Sequence, residues 1–287
     1  MGCLNECGPV DRPPNIPAAD TDRRFGRRDD EGRWARVTAL QAVEMLGVGF
    51  AAGVVSVLIS LASLVSFPAL LALGLPPVAA NVTNTVALVF TGIGSTAGSR
   101  SELAGKRGVV LRLGLLAAIG GTAGSVLLLV APASSFQVVV PFLIGGASVF
   151  LLAQPRLARL RAAYDDADHR RRTIGLRVVL FAASIYAGYF GAAGGILILA
   201  ILTAMYPGWT PQQLNAVKNT VGMCANGAAA VGFALYGPVH WALVVPLGLG
   251  FLAGGWVGPI IARRLPSDML RVVAATCGIA MAVKFAL

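Results

Sequence analysis

An all-α integral membrane protein is the fold class this sequence predicts, with about eight transmembrane helices in two homologous halves. The first helix of each half is expected to be broken or re-entrant. Three observations predict this. From Val178 to Ala262 the chain carries one formal charge, Lys218, over enough apolar length for several crossings at about 20 residues each. Apolar residues make up 56% of the chain and charged ones 13%, against about 25% charged in a typical soluble domain. The two halves also match each other at a nearly constant offset.

That offset is 135 positions for Ala52-Gly53 with Ala187-Gly188, Pro76 with Pro211, Asn84-Thr85-Val86 with Asn219-Thr220-Val221, and Gly92 with Gly227. It becomes 134 for Gly114 with Gly248, Gly121 with Gly255, Gly124 with Gly258 and Pro132 with Pro266. Shared apolar composition produces chance matches, but not a run through Asn-Thr-Val, prolines and glycines in register. Transporters are often built from such repeats, with substrate held where interrupted helices meet.

Apolar runs between punctuating residues place the spans at roughly 40–73, 81–98, 108–130, 136–153, 177–205, 212–236, 240–262 and 269–286. The first and fifth are too long for one straight crossing. Both carry helix-weakening residues, Ser60, Ser63, Ser66 and Pro68 in one, Gly188, Gly191, Gly194 and Gly195 in the other. Residues 1–36 are rich in Arg, Asp and Pro without an apolar core, and read as a disordered polar cytoplasmic tail. The first repeat is 37–153, a basic cytoplasmic linker covers 154–177, and the second repeat is 178–287.

The net charge of +10 does not mark a nucleic-acid binder, because the cations fall in short segments between apolar blocks and act as topology signals. Arg156, Arg159, Arg161, Arg170, Arg171, Arg172 and Arg177 crowd the linker; Arg100, Lys106 and Arg107 occupy the connection 99–107. Eight spans put these segments on one cytoplasmic face with both termini, and 206–211 on the other. Arg263-Arg264 then falls on the wrong face. Either these arginines snorkel, or one long segment crosses differently and the halves are inverted.

Cys3, Cys7, Cys224 and Cys277 show no metal-ligand or paired spacing. Glu6 stands where a myristoylation signal has Ser or Thr.

The sixth span opens on Thr210-Pro211-Gln212-Gln213, an N-cap, a first-turn Pro and a capping-box Gln, so a helix begins there. Asn215, Lys218, Asn219, Gly222 and Asn226 follow on one helical face. A polar stripe in an apolar helix faces protein or water, and a lone buried ammonium costs roughly 2.5–3.5 kcal/mol on insertion scales. Lys218 is thus the first candidate to contact an anion. The alternative is that it snorkels while the asparagines hold helices together.

The second span carries Asn81, Asn84, Thr85, Thr91 and Ser95 without a cation. Neutral amides and hydroxyls can donate to an oxyanion without binding it too tightly for release; helix packing is the competing role, and the stronger one for Thr91 and Ser95. Gly191, Gly194 and Gly195 either expose N–H groups at a break or allow close helix approach. Gly250, Gly254 and Gly258 have the small-xxx-small spacing of packing.

No Asp or Glu lies well inside a span, so coupling to protons or sodium has no obvious carrier. A potential of about 100 mV would drive one negative charge outward by about 2.3 kcal/mol, roughly a forty-fold gradient.

These segments resemble the TauE/SafE family of membrane permeases, linked to export of sulfite and organosulfur anions. The resemblance covers roughly 40–287 and rests on Ala80-Asn81-Val82-Thr83-Asn84-Thr85, Gly188-Tyr189-Phe190-Gly191-Ala192-Ala193-Gly194-Gly195 and Leu214-Asn215-Ala216-Val217-Lys218-Asn219. Val239-His240-Trp241 and Arg263-Arg264-Leu265-Pro266 add to it. In the first half the family's glycine-rich break is replaced by Ser60-Leu61-Ala62-Ser63-Leu64-Val65-Ser66-Phe67-Pro68. The resemblance implies a multi-pass permease of the plasma (inner) membrane exporting a small anion, sulfite or an organosulfonate. Lys218, Asn219, Asn215, Asn84, Asn81, Thr83, Gly191, Gly194 and Gly195 are its candidate substrate contacts.

The expected partners are a small anion and the lipid bilayer, with no nucleic acid and no cofactor; assembly as a homo-oligomer is compatible with the sequence. Import of another small anion such as a carboxylate is the alternative within transport, and a non-transporting membrane scaffold the alternative outside it. An enzyme fits least, with only His169 and His240 and no buried acid pair.

Overall fold

The structure, a computed structural model, describes residues 38–132, 169–191 and 194–264. The tail 1–36, the linker up to residue 168 and the spans expected at 136–153 and 269–286 lie outside the described residues. Those described form helices and no strand. Helix α1 is Ala39–Ile59, α2 Ala62–Ala72, α3 Pro77–Gly98, α4 Arg100–Leu103 and α5 Arg107–Val130. After these come α6 His169–Phe190, α7 Gly194–Met205, α8 Pro211–Tyr236 and α9 Trp241–Ala262.

Local chemistry sets the ends. Thr38 with Gln41, and Thr210 with Gln213, close reciprocal capping boxes at the starts of α1 and α8, each satisfying two otherwise unpaired N–H groups. Helix α1 stops where Ser60 turns left-handed at φ 63°, a conformation unfavourable for any residue with a Cβ. Gly191, at φ +70°, ends α6. Pro68 stays inside α2. Helix α6 starts at His169, inside the segment expected to be linker, because arginine suits a helix as well as leucine does.

Five helical segments are long and apolar enough to cross a membrane: Ala39–Leu58, Pro77–Gly98, Arg107–Val130, Thr173–Phe190 and Trp241–Ala262. Leu111, Leu115, Ile119, Val178, Val245 and Leu249 point outward, exposed, as a lipid-facing surface requires. Every residue from Val78 to Leu88 of α3 is buried, which puts that helix at the centre.

Glycine contacts fix the directions. Gly49 meets Leu247 and Phe251, and Gly53 meets Phe251 and Gly255, so α1 runs parallel to α9. On α9, Gly250 and Gly254 meet the α1 backbone, and a Cβ at Gly258 would sit 2.6 Å from that of Val57. Gly94 and Gly98 make α3 parallel to α9 as well. In the same manner Gly120 and Gly124 align α5 parallel to α6, and the contacts of Gly114 with Cys224, Gly121 with Ala225 and Ser125 with Gly232 align it parallel to α8. Helices α3 and α8 are antiparallel: Gly92 packs on Met223, Thr96 bonds Thr220, and Thr83 accepts from the N–H of His240. Helices α2 and α7 double back on α1 and α6.

Three observations support the alternative left open by Arg263-Arg264, in which the long segments cross differently from a plain count of eight spans. Trp209 lies under the Lys106 ammonium, 5.0 Å from ring centre to Nζ, so 206–211 shares the face of 99–107. Arg263 Nε donates to Glu102 Oε1 at 2.9 Å and Nη2 to the Gly98 carbonyl at 3.2 Å. That arginine belongs to the same basic face rather than the opposite one. Thr38, at the start of α1, lies at the far end. The cause is common to all three: each long segment is a helix followed by a short return, the break that its serines or glycines suggested, rather than one uninterrupted helix.

Burial raises the Glu102 carboxyl, but hydrogen bonds from Ser101 and Arg263 prevail and hold it below 4.5. A depressed folded value means stability that is complete above 4.5 and lost as pH falls through the folded value. The melting midpoint of wild type should therefore exceed that of Glu102→Gln near neutrality, and the two should converge as pH falls through the depressed folded value. Arg263 is 42% exposed, so added salt should shrink the gap.

Candidate functional site

The two bends meet between the central antiparallel helices. A Cβ on Gly195 would stand 2.7 Å from that of Ser60, so any side chain there would force the bends apart. Gly191 N–H bonds the Ala187 carbonyl at 2.7 Å, and its missing Cβ leaves room for the Thr85 hydroxyl. Between the bends, α3 and α8 lies a cavity of about 60 Å³, room for a few waters or one small ion.

Lys218 is 2% exposed on the cavity wall. Its Nζ donates to Ser60 Oγ at 2.6 Å and to the Val57 carbonyl at 3.3 Å. The ammonium therefore caps the last turn of α1, where the helix dipole is negative. Ser60 Oγ, having accepted from Lys218, still has a proton to donate. Ser56 and Ser95 add hydroxyls to the wall.

Three lining groups have no hydrogen-bond partner although their atoms are buried: Thr91 Oγ1, Asn219 Nδ2 and Asn226 Oδ1. Leaving such an atom unpaired costs about 1–3 kcal/mol, and native interiors hold few of them. Here they share one small cavity with one cation and no lining carboxylate. A bound oxyanion could accept from Thr91 Oγ1 and Asn219 Nδ2, while Asn226 Oδ1, an acceptor, calls for a donor such as a water carried in with the anion. Among the described residues, no three His, Cys, Asp or Glu side chains are grouped to hold a metal ion.

Of the residues singled out from sequence, Lys218, Asn219, Gly191 and Gly195 line this cavity. Asn84 lies elsewhere, tying α3 to α2: Nδ2 donates to Ser63 Oγ at 3.0 Å and Oδ1 accepts from Ser66 Oγ at 2.6 Å. Asn81 donates to the Tyr189 carbonyl at 3.0 Å. Thr83 holds the start of α9 through His240, and Gly194 packs on Ala187. Asn215 is not on the cavity wall. Thr91 and Ser95, weighted toward packing by sequence, are on it, and so are Ser56, Ser60 and Met223. The signal for Met223 was present, since 219, 223 and 226 share a helical face.

Comparisons with known proteins agree in kind. The family model described as sulfite exporter TauE/SafE matches residues 45–285. A probable membrane transporter protein (ORF9) of a Sinorhizobium species is 25% identical, over 82% of this chain and 88% of its own length. A probable membrane transporter protein of Haemophilus influenzae is 25% identical, over 83% and 91%. No solved structure matches.

Proposed function

On the premise that this chain belongs to the TauE/SafE family of membrane transporters, we propose that it exports a small anion, sulfite or an organosulfonate, across the plasma membrane. One observation carries the reading: Lys218 and three unpartnered polar groups converge on a small cavity at the junction of two broken helices. A scaffold has no use for such a site.

The two repeats are read as inverted, with the further spans at 136–153 and 269–286 completing eight. The sequence offset supports this, as does the antiparallel pairing of α3 with α8 while α9 follows α1 and α5 follows α6. The basic face is taken as cytoplasmic. The anion would pass between the bends when they rock about the cavity, the motion expected of inverted repeats.

Outward movement is driven by voltage, since one negative charge gains about 2.3 kcal/mol per 100 mV. The test is efflux of labelled sulfite from proteoliposomes at zero and at imposed potential. Efflux should rise with interior-negative voltage. Efflux indifferent to voltage would overturn the drive, and transport of carboxylates in place of sulfite would overturn the substrate.

A further inference from the structure

A second, wider pocket opens beside the cavity. Its volume is about 750 Å³, and Ile93, Thr96, Arg100, Arg107, Thr220 and Met223 are among its lining residues. It lies toward the basic face, between the last turns of α3, the start of α5 and the first half of α8. Arg100 and Arg107 are its charged residues; no carboxylate lines it.

Met223 alone lines both this pocket and the inner cavity. It is seated against Gly92, where a Cβ would collide with its own Cβ and Cγ. One turn away, the Thr96 and Thr220 hydroxyls meet at 3.2 Å. The residue the two spaces share is thus an unbranched, flexible side chain resting in a glycine notch, one turn from a neutral hydrogen bond between α3 and α8. Methionine is well suited to swing, having three rotatable bonds and no branch.

We infer that the wide pocket is the vestibule by which a small oxyanion enters from the basic face, held first by Arg100 and Arg107, and that Met223 is the gate to the inner cavity. The inference rests on the transport reading above. Two cations and no acid favour anions over cations, and a cleft of one sign raises association rates by about 10- to 1,000-fold. The vestibule's size suits a hydrated anion, whereas the inner cavity admits it only after most of its water is shed. Withdrawing Met223 from Gly92 would join the two.

The test uses the full chain with Cys3, Cys7, Cys224 and Cys277 replaced by Ser and with Ser95→Cys on the inner wall. The variant is placed in phosphatidylcholine vesicles with the basic face outward. The rate of thiol labelling is measured with a sulfonate-bearing methanethiosulfonate and with its trimethylammonium counterpart. Met223→Ala should speed sulfonate labelling on the order of tenfold or more, and Met223→Leu, which refills the notch, should not. Arg100→Gln with Arg107→Gln should slow the sulfonate reagent on the order of tenfold and leave the cationic one unslowed.

Unchanged labelling in Met223→Ala, in protein that elutes as one species, would overturn the gate. Equal slowing of both reagents would overturn the vestibule. Repeating the assay with phosphatidylglycerol, and separately with sulfite, separates two sources of anion. Slowing by the lipid and none by sulfite would make the pocket a headgroup site and end the proposal. Labelling does not depend on flux, so absent sulfite transport would defeat the proposed function on its own terms. Unaltered labelling with transport intact would defeat only the gate.

Discussion

Lys218→Met should slow anion efflux at least about tenfold while the protein keeps its melting midpoint to within a few degrees. The two halves of that expectation come from different terms. A hydrogen bond to a charged group is worth about 1.5–3 kcal/mol, so removing the ammonium should slow passage by a factor of roughly ten to a hundred and fifty. Stability is a nearer balance. The substitution leaves Ser60 Oγ and the Val57 carbonyl without their donor, at about 1–3 kcal/mol each. It also ends the burial of a charge, which costs roughly 2.5–3.5 kcal/mol. These offset. Flux per folded molecule and thermal elution from detergent read them separately. A variant that melts early yet carries anion normally would show that Lys218 serves only to cap α1.

Gly121→Ala should be among the most damaging single methyl additions. A Cβ there would run into the Ala225 carbonyl of α8, and Gly188 of α6 already rests on the Gly121 backbone from another side. Neither obstacle is a side chain that can rotate. Overpacking commonly costs about 1–3 kcal/mol, and with backbone on two sides the upper end applies. The helix-propensity gain of Ala over Gly, about 0.5–1 kcal/mol, does not cover it. At Gly227 and Gly47 a Cβ would meet nothing within 4 Å. There the same change should be neutral or stabilising by about that propensity gain. Melting midpoints of the three variants decide the matter, and equal midpoints would sink the packing account.

Local signals in the sequence read well. Thr210-Pro211 and Gln213 marked the start of α8, and the stop lies at Gly191 within the expected glycine cluster. Gly250, Gly254 and Gly258 pack against α1 at the spacing that suggested it. Direction was another matter. Hydropathy counts length but not direction, so 40–73 and 177–205 could be read as broken or re-entrant while the face on which each one ends stayed open. Only the contacts of Trp209 with Lys106, and Arg263 with Glu102, fix that face. The site divides in the same way. Periodicity grouped Lys218, Asn219 and Asn226 because they share a face, yet could not say that Asn84 spends its amide on Ser63 and Ser66. A helical wheel gives the face a side chain looks from, not the neighbour it looks at.

The parallel pairing of α1 with α9 also bears on biogenesis. Gly49 and Gly53 find their partners only at Leu247 through Gly255, near the far end of the chain. At about 5–20 residues per second, the ribosome needs roughly ten to forty seconds to supply them. Helix α5, by contrast, has its neighbours on the next helices described, α6 and α8. Throughout that interval the early hairpin must stand in lipid or beside an insertase with its small-residue groove uncovered. Assembly of the first helices is therefore post-insertional, and agents that slow elongation should lengthen the life of a protease-sensitive nascent form.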